Sequence, residues 1–185
     1  SFFSLVQREV SRFMRVWAQT IIPPIVTSTL FILIFGYSLG SRISSVAGVS
    51  YLEFIIPGLL MMGVIMSSYS NSNSSLYIAK HQGNVQELLV APLSYWEIIF
   101  AFVVASTLRA SIVGAGILGI SMLFTDVTIS NIFIVLFFVI FVAILFSLAG
   151  IATAIWATSF DKMNVFTTFL ITPLTYLGGV FYSIS

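Results

Sequence analysis

No charged residue falls between Arg15 and Arg42, between Glu53 and Lys80, or between Asp126 and Asp161. Each of these gaps exceeds the roughly 18–20 residues that a helix needs to cross a bilayer. Only 7% of the 185 residues are charged and 59% are hydrophobic, whereas a water-soluble domain carries roughly 25% charge. Such a chain cannot cover a water-facing surface. The apolar runs are continuous, not alternating segments of about ten residues, so a transmembrane β-barrel is excluded as well. The expected fold class is an all-α polytopic membrane protein. A net charge of +1 leaves no case for a nucleic-acid partner, and with no cysteine there is neither a disulfide framework nor a thiolate metal site. The N-terminus lacks the short apolar core and small-residue cleavage site of a signal peptide.

Residues 1–16 read as an amphipathic helix lying in the membrane interface. Phe2, Phe3, Val6, Val10, Phe13, Met14 and Trp17 share one side, and Arg8, Arg12 and Arg15 the other. The ordinary basic flank of a first span is the alternative. Spans are then expected over 17–40, 54–78, 95–124, 132–158 and 165–182. Pro23 and Pro24 should kink the first span or mark its join to the interfacial helix. Ser50 with Glu53 spells a capping box for the second span, and Pro57 falls in its first turns. The second half of that span carries nine consecutive small or polar residues, Ser67 to Ser75. Lipid would penalise them, so they should face another helix, a cavity or water. Gly114, Gly116 and Gly119 allow close packing of the third span.

The stretch 80–94 is the main polar interruption. Val85, Leu88 and Leu89 share one helical face, with Asn84 as a candidate N-cap and Pro92 as the stop. Ser94 and Glu97 make a capping box for the next span. A short amphipathic helix between two spans is a candidate docking surface for another protein. Lys and Arg counting sets orientation. With the N-terminus cytoplasmic, the inner segments hold Arg8, Arg12, Arg15, Lys80 and Lys162, and the outer loops hold Arg42 alone.

Catalytic and coupling groups are missing. The chain has no P-loop, no H-E-x-x-H and no G-x-S-x-G. His81 has no nearby His or Cys for a metal and reads as a solvated loop residue. Asp126 and Asp161 fall at span ends, so the intramembrane acids common in proton-coupled carriers are absent. Any active transport must draw energy from another subunit. Arg109 lies within a span at a cost of about 2.5–3.5 kcal/mol on translocon scales. It either attracts an anionic substrate group or, the favoured reading, bonds backbone carbonyls or a neighbouring helix end. Thr168, Thr172 and Tyr176 form one stripe, which is either helix–helix glue or, given Pro173, part of a moving pore-lining helix.

The order of these parts resembles that of the ABC-2 type transporter permeases. The specific segments are Gln82-Gly-Asn-Val-Gln-Glu-Leu-Leu-Val-Ala-Pro92 and Leu170-Ile-Thr-Pro-Leu-Thr-Tyr-Leu-Gly-Gly-Val-Phe-Tyr182. The resemblance implies a bacterial inner-membrane exporter subunit that works as a dimer, with ATP and Mg bound by a cytoplasmic ATPase partner. It makes Asn84, Val85, Gln86, Glu87, Leu88 and Leu89 the coupling helix, with Glu87 at the family's acidic position. It also places Asn71, Asn73, Thr168, Thr172 and Tyr176 near a substrate path at the dimer interface, with Arg109 a further candidate. The family pattern adds an outer re-entrant segment and a sixth span, so the chain reads as a truncation or fragment of that fold. The apolar spans favour an amphipathic or drug-like cargo; a lipid-linked glycan is the alternative. A membrane scaffold that moves nothing, and a gradient-driven carrier, are the rivals from other classes.

Overall fold

A computed structural model describes residues 2–39, 48–83, 86, 90, 94–125, 131–177 and 180. Helix α1 spans Phe2–Arg15 and α2 Trp17–Thr20, followed by α3 at Ile22–Leu39 and α4 at Tyr51–His81. Helix α5 spans Tyr95–Phe124 and α6 Ile132–Trp156. The last described helix runs as α7, Phe160–Phe166, a π-helical segment Thr167–Ile171, and α8, Thr172–Leu177. No strand occurs among the described residues. Among the described residues, four stretches are long and apolar enough to cross a membrane: Trp17–Gly36, Tyr51–His81, Tyr95–Phe124 and Ile132–Trp156. The fifth expected span is helical over its described part but begins earlier, at Phe160.

Local chemistry accounts for most helix ends. Ser94 Oγ accepts from the Glu97 N–H at 3.3 Å, and the Ser94 N–H donates to Glu97 Oε2 at 2.7 Å. This is the reciprocal capping box that the sequence spells. Asn131 caps α6 by accepting from the Phe133 N–H at 3.0 Å. Ser50 does not cap in this way: it precedes α4, but its side chain accepts no capping hydrogen bond. Helix α4 starts at Tyr51, earlier than expected, which moves Pro57 inside the helix. There its missing N–H deprives the Glu53 carbonyl of its usual partner. Pro23 and Pro24 do not kink α3. They occupy its first turn, where backbone N–H groups need no intrahelical acceptor, and the break falls just upstream at Ile21.

The π segment precedes Pro173 for a related reason. Proline cannot donate to the carbonyl four residues back and its ring crowds that carbonyl. The turn before it widens, and the Thr172 N–H bonds to the Thr167 carbonyl, five residues back.

Helices α4 and α5 form the interior, and α3 and α6 flank them with most of their surface outward. Ile55, Leu59, Val64, Val113 and Ile117 are fully buried between them. The outward side of α6 presents Phe133, Phe137, Phe138, Phe141 and Leu145. An apolar face this continuous is stable against lipid and not against water. Helix α4 closely approaches α6 at Gly150, where a Cβ would lie 2.6 Å from the Tyr69 carbonyl oxygen. Lys80 holds the far end of this pair. Its Nζ donates to the carbonyls of Ile155 at 3.1 Å and Ala157 at 3.2 Å, placing a cation on the electronegative C-terminus of α6.

A buried polar network between three membrane helices

Most of the polar run of α4 faces its neighbours, with Ser70 exposed and Ser74 half-buried. Ser67, Ser68, Asn71, Ser72, Asn73 and Ser75 are all buried. Ser72 of α4 shares hydrogen bonds with Ser106 of α5, at 2.6 Å, and with Ser147 of α6. Small hydroxyl side chains let the three backbones approach and still satisfy one another where water is excluded.

Next to Ser72, Asn71 bonds to three side chains. Its amide donates to Ser106 Oγ at 2.9 Å, while its Oδ1 accepts from Arg109 Nη1 at 3.2 Å and from Arg12 Nη2 at 3.4 Å. Arg109 is 8% exposed, and its Nη2 donates to the Thr20 carbonyl at 3.0 Å. These are the contacts of a structural arginine: a neighbouring side chain and the last carbonyl of α2. Arg12 also donates from Nε to Glu9 Oε2 at 3.2 Å, and Arg8 meets Glu9 Oε1 at 3.5 Å. Ser75 Oγ donates to the same Glu9 carboxylate. Glu9 is only 3% exposed. A carboxylate buried so deeply is tolerable only with partners of this kind.

Glu9 is the residue that sequence reasoning passed over. The expectation was an aromatic-rich apolar side opposite a basic one, but the buried face of α1 is Leu5, Glu9 and Phe13, while Phe3, Met14 and Trp17 face outward. The available signal was spacing. Glu9 stands four residues from both Leu5 and Phe13, an acid on a buried stripe. Lys80 was counted only for orientation, and His81 was read as a loop residue. His81 is instead the exposed last residue of α4, and its Nε2 lies 3.0 Å from the Tyr77 hydroxyl.

The other sequence-derived candidates separate. Asn73 is buried within the subunit and its Oδ1 has no hydrogen-bond partner among the described residues. Thr168 and Tyr176 are exposed on the last helix, and Thr172 is half-buried with its hydroxyl on the Thr167 carbonyl at 3.1 Å. They are therefore not brought together with Asn71, Asn73 and Arg109. Of the coupling segment, Asn84, Val85, Glu87, Leu88 and Leu89 lie outside the described residues. Gln86 is helical, and its N–H bonds to the carbonyl of Gly83, whose φ of +75° turns the chain out of α4.

A polar interior inside an apolar shell describes many membrane proteins; comparison decides among them. The profile of the ABC-2 type transporter family matches residues 1–185. The chain belongs to that family. It is the membrane-spanning part of a permease subunit of an ABC transporter, and membership implies an ABC ATPase as partner. The permease is 44% identical over 182 residues to the inner membrane transport permease YadH of Escherichia coli strain K12. The same holds for the protein of that name from Shigella flexneri. In each case the match covers 98% of this chain and 71% of the relative. No solved structure matches the permease significantly.

Proposed function

We propose that the permease exports an amphipathic or drug-like molecule, driven by ATP and Mg bound in a separate cytoplasmic ATPase. The observation that carries this reading is the position of α4. It is a continuous helix of 31 residues at the centre of the bundle. Its buried polar face bonds to α1, α5 and α6, and it leads directly through Gly83 into the segment proposed to dock on the ATPase. Lys80, three residues before that glycine, ties it to the end of α6. A displacement applied at 84–89 therefore reaches every helix that α4 holds.

The distribution of charge supports a cytoplasmic N-terminus in the bacterial inner membrane, the location named for the Escherichia coli relative. Arg8, Arg12 and Arg15 face the α4 segment 78–82, Lys80 caps α6, and the Lys162 Nζ donates to Thr158 Oγ1 just beyond α6. The five basic residues counted as cytoplasmic thus gather at one end of the bundle. The exposed side of the last helix, with Thr168 and Tyr176, is a surface on which a second copy would complete a substrate path.

The test is export by the full-length permease with its ATPase. Glu87→Ala and Leu88→Asp are expected to abolish transport and to uncouple ATP hydrolysis while membrane insertion persists. Normal export by either variant defeats the assignment of the coupling segment.

A further inference from the structure

Between α1 and the basic end of α4 lies an open cavity of about 560 Å³, lined among others by Arg8, Ser11, Arg12, Arg15, Ile78 and Gln82. We propose that this cavity holds the phosphate headgroup of an anionic phospholipid from the surrounding bilayer, bound as a resident ligand.

Charge carries the argument first. Three guanidinium groups line the cavity against one carboxylate, Glu9, and that carboxylate is already engaged by Ser75, Arg8 and Arg12. Arg12 is committed to Glu9 and Asn71. Arg15 makes no hydrogen bond or ion pair among the described residues, and Arg8 contacts only Glu9 Oε1. Both retain donors in the planar fork that matches phosphate oxygens. The free cationic capacity therefore exceeds what the protein itself uses.

The rim selects a lipid over a soluble anion. Val16 lines the cavity and is 42% exposed. Met14 at the end of α1 and Trp17 at the start of α2, its near neighbours in the chain, are also exposed. These side chains suit acyl chains, and a tryptophan at headgroup depth suits the interface itself. The site also lies at the basic end of the bundle, the end that meets the anionic cytoplasmic leaflet in a positive-inside topology. The inference depends on neither the direction of transport nor its cargo, so its failure would leave the exporter reading intact.

Titration of the full-length permease in detergent with dioleoyl phosphatidylglycerol or dioleoyl phosphatidylcholine, read by native mass spectrometry, tests it. A surface arginine contributes about 1 kcal/mol to anionic-lipid binding, or about fivefold in affinity. Arg15→Gln should weaken phosphatidylglycerol about fivefold, and adding Arg8→Gln should weaken it about fivefold again. Phosphatidylcholine binding should change in neither variant. Arg15 stands outside the Glu9 network, so its variant carries the test if the double variant misfolds. Equal affinity for the two lipids, or unchanged phosphatidylglycerol binding by Arg15→Gln, overturns the proposal. Displacement of phosphatidylglycerol by millimolar inorganic phosphate overturns it too, because the site would then belong to a free anion. Failure of phosphate to displace the lipid supports it.

Discussion

The guanidinium of Arg109 donates to Oδ1 of Asn71 at 3.2 Å and joins α5 to α4 inside the bundle. Its other terminal nitrogen reaches the Thr20 carbonyl at the end of α2. One side chain thus fixes the crossing of three helices, and the fork geometry lets it serve two acceptors that point in different directions.

Replacing Arg109 by Leu strands the Thr20 carbonyl and removes one of the two donors to Asn71. Loss of a partner from a buried polar group costs about 1–3 kcal/mol. The full-length permease in detergent should therefore unfold at a measurably lower temperature. Arg109→Lys should recover only part of the loss, because an ammonium cannot reproduce the planar fork. An unchanged unfolding temperature for Arg109→Leu would contradict the network described above.

Glu9 anchors α1, so its variants should loosen that helix selectively. Glu9→Ala removes the acceptor for Ser75 and the counter-charge for Arg8 and Arg12. Breaking a buried pair by removing one partner costs about 3–5 kcal/mol. Trypsin should then cleave after Arg8, Arg12 or Arg15 faster than in the native protein, while sites beyond α1 stay protected. Glu9→Gln keeps an acceptor for Ser75 and should fall between the two. Equal cleavage rates for Glu9→Ala and the native chain would show that α1 is held by its apolar contacts alone.

Gly150 offers a test that involves no charge. The space for a methyl group there is taken by the Tyr69 carbonyl oxygen, which belongs to the backbone of α4 and cannot rotate away. Gly150→Ala must push α4 and α6 apart, at a cost of about 1–3 kcal/mol for overpacking. The separation would also weaken the shared hydrogen bond of Ser72 and Ser147. Thermal unfolding and faster amide exchange in peptides covering 69–75 and 147–153 would report it; native values for both would show that the interface can slide.

Much of the fold was legible because lipid imposes a simple rule. A backbone that meets hydrocarbon must satisfy its own hydrogen bonds, so a long uncharged apolar run has one available structure. Ser94, Glu97 and the start of α5 followed from capping chemistry within four residues. The equivalent reading at Ser50 failed for the same reason of locality. A capping box competes with whatever else sets the helix start, and there the side chain accepts no bond even though Glu53 stands in the first turn.

That this protein is helical and membrane-embedded could be read from the chain alone. Each of these follows from what the chain contains over stretches of a few to about twenty residues. Which polar residues are partners was settled by how the helices pack against one another. Glu9 and Ser75, Arg12 and Asn71, and Lys80 and the carbonyl of Ile155 are distant in sequence and meet because α4 lies centrally among its neighbours. In a low-dielectric interior a polar group is stable only with a partner, and helical periodicity tells which side of a helix a residue occupies but not which helix lies opposite. That is why Asn71 was legible as polar and turned away from lipid, while its two arginines were not.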